Sequence, residues 1–411
     1  MRLVVVPHKK TARSHAKPIR RAGRGFMLLG LLCFTLLAVL YFRPLPAATV
    51  AMQPLSVPEP KTPSITWASS GDSMVSAEGY SFTASNHGSE PLSTASIAKV
   101  ITVLCVLEKL PLSPGEQGPV YTMTANDVAL YQHELMQDGT NLPIVEGEEL
   151  TEYQMIQAIM LPSANNIANS LAIRTFGSID QYRVYASNWL ERQALRETVI
   201  GPDASGYDPA TKSSYNDLVK LAKIALKHPV LMEIAGSSQA QFATAGTVYN
   251  RNQSLSDGVL TGLKTGRNEL NSGSFLFTAV VQNPVKRIAL AGVVANAGDS
   301  AFAAQQANVL AKSMSDDFDT VLLATKGQTV GTVETAWGAR SDIIVEDNAE
   351  IVRWTADKIY VANEVKATTG VDVHKLGTLS IRSGGQKDDS TLLLKTPIPE
   401  PSVWWRLTHI R

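Results

Sequence analysis

Three short motifs in the sequence combine the residue types that serine-based nucleophilic chemistry requires. They are S-x-x-K at Ser96–Lys99, S-x-N at Ser163–Asn165 and K-T-G at Lys264–Gly266. A serine hydroxyl attacks well only when a base takes its proton, and residues three apart on a helix share a face. We therefore predict that Ser96 is a nucleophile and that Lys99 is its base. Lys99 must then be partly neutral, a state that burial and a second cation, Lys264, would favour.

Each motif alone is a weak signal, because the chain repeats S-x-x-K at Ser14–Lys17 and S-x-N at Ser214–Asn216. Taken singly, Ser163 and Asn165 are also typical of helix caps, and Lys264–Gly266 of a strand followed by a turn. Order and context make the set specific. The first motif begins an apolar helical block, the second follows a proline between two helices, and the third lies on a predicted strand. Penicillin-binding proteins and class A β-lactamases carry this set of motifs.

Two further patterns resemble a metal site and a phosphate site, but each lacks an essential residue. His133–Met136 begins like the zinc-protease motif H-E-x-x-H, yet the fifth residue is Gln137. The phosphate loop G-x-x-x-x-G-K-[ST] requires a glycine directly before its lysine, where this chain has Leu263. We therefore expect neither a metal ion nor another cofactor.

The elements that must position the motifs alternate between helical and extended patterns. Apolar residues at three- and four-residue spacing predict helices over residues 95–110, 150–161, 166–176, 215–226 and 303–323. Extended patterns predict strands over residues 258–263, 274–281 and 287–294. Helices packed on a mostly antiparallel sheet give an α+β fold. From residue 326 onward, short strands separated by Gly, Asn and Asp predict a separate β-rich domain.

The N-terminal region carries a membrane signal. Residues 26–42 contain no charge, and residues 1–43 hold nine basic residues and no acid. By the positive-inside rule, residues 1–25 lie in the cytoplasm and the main body lies outside. A cleaved signal peptide is the alternative interpretation, since small residues follow the apolar run at 46–48. The prolines scattered over residues 44–63 are typical of an extended tether.

Charge and cysteine content exclude two classes of protein. The chain has 37 basic and 37 acidic residues, so removing the nine basic residues of 1–43 leaves 28 against 37, about −9 for residues 44–411. An acidic body argues against nucleic acid as a partner, because phosphate binding needs clustered cations. With only Cys33 and Cys105, the chain has no disulfide framework.

The chain resembles the D-alanyl-D-alanine carboxypeptidase family of low-molecular-mass penicillin-binding proteins. The likeness extends beyond the three motifs to TASIAKVITVLCVLEKL, EGEELTEYQMIQAIMLPSANNIANSLA, GPDASGYDP and DGVLTGLKTG, which cover most of residues 64–300. KGQTVGTVETAWG and the closing SVWWRL are similar to the family's C-terminal β-domain. The resemblance implies a β-lactamase/transpeptidase-like domain, an antiparallel sheet flanked by helices, followed by a small β-rich domain.

The resemblance also implies catalytic roles around the nucleophile. Ser163 would relay a proton between the lysines and the leaving amine, and the Asn165 amide would bind the substrate backbone. The backbone N–H groups of Ser96 and Arg267 would form the oxyanion hole. The family often has Asp after the S-x-N asparagine, where this chain has Asn166.

Recognition of the anionic end of the substrate follows the family pattern only in part. Lys264 and Thr265 would meet this end, and Gly266 would leave room for a substrate strand along the sheet edge. The family often supplies a further basic residue after the next strands, but residues 295–304 contain none. Arg267 is the candidate to compensate.

The resemblance implies a bacterial serine-type D-Ala-D-Ala carboxypeptidase acting on peptidoglycan stem peptides through a Ser96 acyl-enzyme and inhibited by β-lactams. The alternatives are a D,D-endopeptidase that cuts cross-links with the same residues, and a non-catalytic module that binds the wall or senses β-lactams. A β-lactamase is disfavoured, because residues 201–208 contain no Glu to activate a deacylating water. The sequence does not indicate an oligomeric state.

The predicted organisation has five parts. They are a basic cytoplasmic leader (1–25), a transmembrane helix or signal-anchor (26–42), a proline-rich tether (43–63), a serine peptidase domain (64–325) and a β-rich C-terminal domain (326–411). The protein is thus expected in the bacterial cell membrane as a single-pass protein with an extracytoplasmic catalytic domain.

Overall fold

A computed structural model describes residues 18–86, 90–268, 272–365 and 375–409. Its helices are α1 (Pro18–Phe42), α2 (Ala98–Lys109), α3 (Ala125–Met136), α4 (Glu152–Met160), α5 (Asn165–Phe176), α6 (Ile179–Arg192), α7 (Tyr215–Ala225), α8 (Pro229–Ala235), α9 (Ser300–Ser313) and α10 (Val403–Thr408). The strands of the N-terminal two thirds are β1 (Thr49–Met52), β2 (Asp72–Ala77), β3 (Thr83–Ser85), β4 (Leu92–Ser93), β5 (Val120–Thr122), β6 (Glu149–Thr151), β7 (Lys212–Ser213), β8 (Gln239–Phe242), β9 (Gly246–Tyr249), β10 (Leu260–Arg267), β11 (Gly273–Gln282) and β12 (Arg287–Ala297). The remaining strands are β13 (Phe318–Ala324), β14 (Thr329–Glu334), β15 (Arg340–Val345), β16 (Ala349–Trp354), β17 (Tyr360–Val365), β18 (Lys375–Ser383) and β19 (Gln386–Leu394).

The catalytic half is built on an antiparallel sheet with the strand order β10-β11-β12-β2-β3. β11 and β12 are buried along nearly their whole length, because α9 packs on one face of the sheet and α7 on the other. Strands covered on both faces are expected to be continuously apolar, and these are. The arrangement confirms the predicted α+β fold with helices flanking an antiparallel sheet.

Helix α2 is the centre of the helical layer. Every residue from Ala98 to Leu107 is buried, since α4, α5, α6 and α7 surround the helix. An apolar helix without a polar face is stable only in such a fully enclosed position. The sequence predicted one helix over 95–110. In the structure its first turn, Ala95–Ile97, is a 3-10 turn, and α2 follows directly.

The C-terminal half contains a second antiparallel sheet with the order β1-β14-β15-β19-β18-β17 and a pair β13-β16 packed beside it. The helix predicted over 303–323 is wrong in its second half. α9 ends at Ser313, and Phe318–Ala324 forms β13, paired with β16. Within β13, Val321 and Leu323 are buried while Thr320 and Leu322 are exposed, an alternation typical of a strand that the helical interpretation of residues 303–323 missed.

The predicted tether is ordered against the C-terminal half instead of standing free. Thr49–Met52 forms β1 and pairs with β14. Further along, the backbone N–H of Lys61 donates to Thr355 O at 2.9 Å, and the guanidinium group of buried Arg353 donates to the carbonyls of Pro58 and Glu59. The prolines keep the segment extended, and the C-terminal sheet supplies the hydrogen-bond partners.

Aromatic side chains join the two halves. Phe82, next to the edge strand of the catalytic sheet, stacks on Trp354 of β16 with ring centroids 4.1 Å apart. Tyr80 and Phe318 complete the cluster with an edge-to-face contact at 5.2 Å. Aromatic pairs of this kind contribute about 0.5–1.5 kcal/mol each beyond their buried area. The cluster fixes the C-terminal half on the edge of the catalytic sheet that lies away from β10.

Among the described residues, one helical segment, Gly25–Phe42, is long and apolar enough to cross a membrane, with a mean hydropathy of 2.4 and no residue of that window buried. Its C-terminal end contacts α10. Arg406 Nη1 donates to Tyr41 O at 3.0 Å, and its guanidinium group lies 5.2 Å from the centre of the Tyr41 ring.

Candidate active site

Ser96 lies in the 3-10 turn that leads into α2, at the surface of a cleft. The preceding residue, Ala95, has a φ of 44°, in the left-handed region that side chains rarely adopt. Gly206 packs against this turn, where an added Cβ would lie 2.2 Å from Ala95 O. Close packing therefore holds a strained turn in place, and such strain is concentrated at functional sites.

The Lys99 ammonium group is completely buried directly behind Ser96. Lys99 Nζ donates hydrogen bonds to Ser96 Oγ at 2.8 Å, to Asn165 Oδ1 at 2.7 Å and to Ser205 O at 3.0 Å. These three acceptors use all three donors of an ammonium group. All three acceptors are neutral, so no carboxylate contacts the lysine directly.

Burial lowers the pKa of Lys99 to about 7. Nearby Asp203 and Glu134 act in the opposite direction, and the positive charge of Arg251 lowers the pKa further. Lys264 on β10 is also completely buried, and its pKa lies well below the usual value because of burial and then the charges of Lys99 and Arg251. The site thus maintains a lysine that is substantially neutral near neutral pH, which a base for Ser96 requires.

Ser163 and Asn165 lie at the corner between α4 and α5. Ser163 has a φ of 72°, and its buried Oγ has no hydrogen-bond partner within the described part of the chain. Ala164, not Ser163, occupies the N-cap of α5, so helix capping does not explain the motif. A buried hydroxyl without a partner is costly, which indicates a partner supplied from the cleft.

Asn166, where the family pattern often has Asp, has a structural role. Its Oδ1 accepts from the backbone N–H of Leu142 at 3.0 Å, and its Nδ2 donates to Leu142 O at 2.9 Å. An amide can both accept and donate in this way, whereas an ionised carboxylate can only accept. The residue therefore fixes the segment after α3 that borders the cleft, without adding a charge.

The cleft has a volume of about 350 Å³ and contains six of the eight site residues predicted from the sequence. Those six are Ser96, Ser163, Asn165, Thr265, Gly266 and Arg267. The other two, Lys99 and Lys264, are the buried lysines behind it. At Gly266 an added Cβ would lie 3.1 Å from Thr94 O, so this glycine lets β10 pass close to the turn that carries Ser96.

Sequence reasoning missed several residues that line the cleft. Arg251, in the loop after β9, donates from Nε to Pro162 O at 2.9 Å and thereby joins this loop to the Ser163 corner. On the opposite wall, Tyr207 donates from its hydroxyl to Gln137 O at 2.9 Å, beside Asp138. Arg251 belongs to no local motif, whereas Tyr207 lies within the family-like block GPDASGYDP, which could have indicated it.

The source of positive charge in the cleft and the zinc-like pattern at His133 can both be located in the structure. The stretch without a basic residue, 295–304, contributes Ser300 to the cleft, and the cations of the cleft lining are Arg251 and Arg267. Among the described residues no group of three His, Cys, Asp or Glu is arranged to hold a metal ion. In the zinc-like pattern, His133 Nε2 instead contacts Gln137 Nε2 at 3.0 Å.

Comparisons with known sequences identify related proteins. The sequence model of the D-alanyl-D-alanine carboxypeptidase family matches residues 74–298. The D-alanyl-D-alanine carboxypeptidase DacF of Bacillus subtilis is 23% identical over 316 residues, which cover 73% of this chain and 78% of that protein.

Solved structures share the fold. Penicillin-binding protein 5 of Haemophilus influenzae matches with a TM-score of 0.56 at 14% identity, over 83% of this chain and 99% of that one. PBP3 of Streptococcus pneumoniae matches with a TM-score of 0.58 at 17% identity, over 81% of this chain and 100% of that one. A Streptomyces K15 DD-transpeptidase variant matches with a TM-score of 0.52 at 20% identity, over 60% of this chain and 98% of that one.

Proposed function

The chain belongs to the D-alanyl-D-alanine carboxypeptidase family, and on that premise we propose that Ser96 is its nucleophile and Lys99 the base. The protein is a serine-type D-Ala-D-Ala carboxypeptidase that acts on peptidoglycan. The observation that carries the residue assignment is the 2.8 Å hydrogen bond between Lys99 Nζ and Ser96 Oγ, made by a lysine whose pKa is about 7.

The proposed reaction proceeds through an acyl-enzyme. Neutral Lys99 accepts the hydroxyl proton as Ser96 Oγ attacks the carbonyl carbon of the penultimate D-Ala. The backbone N–H groups of Ser96 and Arg267 stabilise the oxyanion. The C–N bond then breaks, and the amine of the terminal D-Ala takes a proton relayed through Ser163. Water then adds to the ester carbonyl and gives a proton to Lys99. The bond between the acyl carbon and Ser96 Oγ breaks, Lys99 returns a proton to Ser96 Oγ, and the shortened peptide leaves with a free carboxylate.

Substrate recognition is assigned to the two walls of the cleft. Asn165 Nδ2 donates to the backbone of the acyl part of the stem peptide, while Thr265 and the adjacent cations bind the terminal carboxylate. Arg251 and Arg267 both line the cleft and supply the positive charge that residues 295–304 lack. This pair supports the carboxypeptidase assignment, because it supplies positive charge for the free carboxylate of a terminal D-Ala.

The Gly25–Phe42 helix is assigned to the bacterial cell membrane, with the catalytic domain outside, and it is retained as an uncleaved anchor. Its hydropathy and the basic leader before it support the span. The contacts of Arg406 with the end of the same helix support retention, because cleavage would remove Tyr41 and expose the partner surface on α10.

The test is to incubate the full-length chain in detergent with benzylpenicillin and to measure the mass of the intact protein over time. We expect a lasting adduct that maps to Ser96, release of D-Ala from a pentapeptide, and loss of both in Ser96→Ala. Ser214→Ala is the matched control: it removes the serine of the second S-x-N motif, which caps α7. A folded wild-type protein that forms no adduct contradicts the assignment and favours the non-catalytic wall-binding alternative. Cleavage confined to cross-linked peptides favours the endopeptidase.

A further inference from the structure

Glu134 is a buried carboxyl group beside the catalytic residues that the reaction described above does not use. It lies in the last turn of α3 with 5% of its surface exposed. Its Oε2 accepts a hydrogen bond from Asn165 Nδ2 at 2.8 Å. The chain leaves space for it by placing Gly139 opposite, where an added Cβ would lie 2.1 Å from Glu134 Oε2.

This contact determines which way the Asn165 amide points. An asparagine side chain can be turned so that its oxygen and nitrogen exchange places, and the two ends differ only in their partners. Here Oδ1 accepts from the Lys99 ammonium group, and Nδ2 donates to the Glu134 carboxylate. A turned amide would lose both bonds and would set N–H against an ammonium group. One N–H of Nδ2 is used by Glu134, which leaves the second N–H for the cleft.

We propose that Glu134 is a positioning residue of the acylation step, which fixes the Asn165 amide between Lys99 and the substrate and places a negative charge behind that amide. The inference rests on the proposed function, since it assigns Lys99 as the base and Asn165 as a substrate contact. Glu134 acts only through Asn165 and the electrostatic field at Lys99.

The charged groups around Lys99 give the direction of the electrostatic effect. Glu134 from α3 and Asp203 from the loop before β7 raise the pKa of Lys99, whereas Arg251 from the loop after β9 lowers it. Lys264 faces Lys99 from β10. Removing the negative charge of Glu134 therefore lowers the pKa of Lys99. Because neutral Lys99 is the active form, the acid limb of the kcat/KM profile then moves to lower pH.

The groups around Glu134 shift its own pKa as well. Burial raises its pKa, Asp203 acts in the same direction, and Asn165, Lys99 and His133 act against it. His133 lies on the same helix as Glu134 and is exposed.

Two substitutions separate the amide contact from the charge. Glu134→Gln keeps an acceptor oxygen for Asn165 but removes the charge, so we expect an acid limb at lower pH and a plateau rate within a few-fold of wild type. Glu134→Asp keeps the charge but is too short to reach Asn165. We therefore expect its plateau kcat/KM to fall roughly 10-fold, the effect of losing one hydrogen bond to a charged group, with no shift of the limb to lower pH.

Glu148→Gln is the matched control, because Glu148 is also a buried glutamate but binds the backbone N–H groups of Val145 and Thr244. It should change neither the limb nor the plateau. The measurements are pH profiles of D-Ala release with full-length protein in detergent, with thermal unfolding of each variant alongside. The inference would be overturned if the acid limb of kcat/KM stayed in place in Glu134→Gln and the plateau kcat/KM of Glu134→Asp equalled that of wild type. If one variant does not fold, the other still tests its own part of the inference, the charge in Glu134→Gln or the amide contact in Glu134→Asp.

Failure of the proposed function gives a different result. Wild-type protein that neither releases D-Ala nor acylates Ser96 overturns the assignment of Ser96 and Lys99, and the inference falls with it. Wild-type protein that is active while both Glu134 variants match it overturns the inference alone.

Discussion

Lys99 in the cleft and Arg353 in the C-terminal half are both completely buried cations, and their surroundings differ in kind. Lys99 donates to three neutral oxygens and has a second buried lysine nearby. Arg353 donates to three backbone carbonyls, and its Nη2 lies 3.6 Å from a carboxylate oxygen of Asp319. Equal burial therefore does not mean an equal role.

The difference shows how a protein makes one buried cation reactive and another structural. A lysine loses its proton when burial and like charges outweigh its acceptors, and the neutral amine is then a base. A guanidinium group remains charged in proteins, so its burial serves to bind several carbonyls from different segments at once. In this chain the carbonyls come from the N-terminal segment at 58–59 and from the turn at Asp357.

The largest expected effect is the loss of activity in Lys99→Met. Without its base, Ser96 should lose peptidase activity by a factor on the order of 10⁴, as other serine hydrolases do when a catalytic residue is removed. The melting temperature should change little, because the loss of the donor to Ser96, Asn165 and Ser205 is offset by the removal of a desolvated ammonium group. D-Ala release and thermal unfolding test both parts. Retained activity, or a marked loss of stability, would contradict this view of Lys99.

Arg353→Met is the same substitution in the other region and should have the reverse effect. It leaves three buried carbonyls without their donor, so we expect the free energy of unfolding to fall by about 3–5 kcal/mol. Activity of the folded protein at 25 °C should equal that of wild type, since the cleft lies elsewhere. Urea unfolding measures the stability and kcat/KM the activity. A loss of activity without a loss of stability would contradict a purely structural role for Arg353.

The pH dependence of the reaction should report the lysine directly. With a pKa of about 7 for Lys99, kcat/KM should rise about 10-fold per pH unit below pH 7 and level off above it. The sign follows from the base being the neutral form, which is lost as pH falls. A profile that is flat between pH 5 and 8 would show that a different group accepts the proton.

The smallest expected effect is the shift of the acid limb in Arg251→Gln, which comes in addition to a lower plateau of kcat/KM from weaker binding of the terminal carboxylate. The positive charge of Arg251 lowers the pKa of Lys99, so its removal should move the acid limb to higher pH. The half-buried Arg183, paired with Asp180 on α6, provides a control position whose change to Gln should leave the pH profile unmoved. A limb that moves to lower pH in Arg251→Gln would contradict the assigned electrostatics.

Motifs and long apolar stretches made much of this molecule predictable. Ser96, the Ser163–Asn165 corner and Thr265 come from three separate parts of the fold, and the motif set alone predicted that they would meet. The α+β fold followed from uniformly apolar strands such as β11 and β12, whose pattern leaves few alternatives. These are cases where the local sequence carries the constraint.

The rest depended on contacts that local patterns do not encode. Over residues 303–323 apolar residues are mixed with polar ones such as Gln305, Lys312 and Asp316, and the helical spacing of the first half was extended over the shorter alternating pattern of β13. Residues 43–63 contain the prolines of a linker, but β14 and Arg353 lie almost 300 residues later. Glu134 stood out only as part of a failed zinc pattern, because its true partner, Asn165, lies 31 residues away on another helix.

The docking of β1 onto β14 also determines how mechanical load would pass through the protein. Tension between the Gly25–Phe42 helix and substrate held in the cleft enters the folded part through Thr49–Met52. Four paired residues along antiparallel strands, followed by the Arg353 contacts, would resist that pull before it reaches the chain at Ser64. The C-terminal half would thus bear force applied between the helix and a substrate held in the cell wall. The geometry of the Ser96 turn would then stay undisturbed.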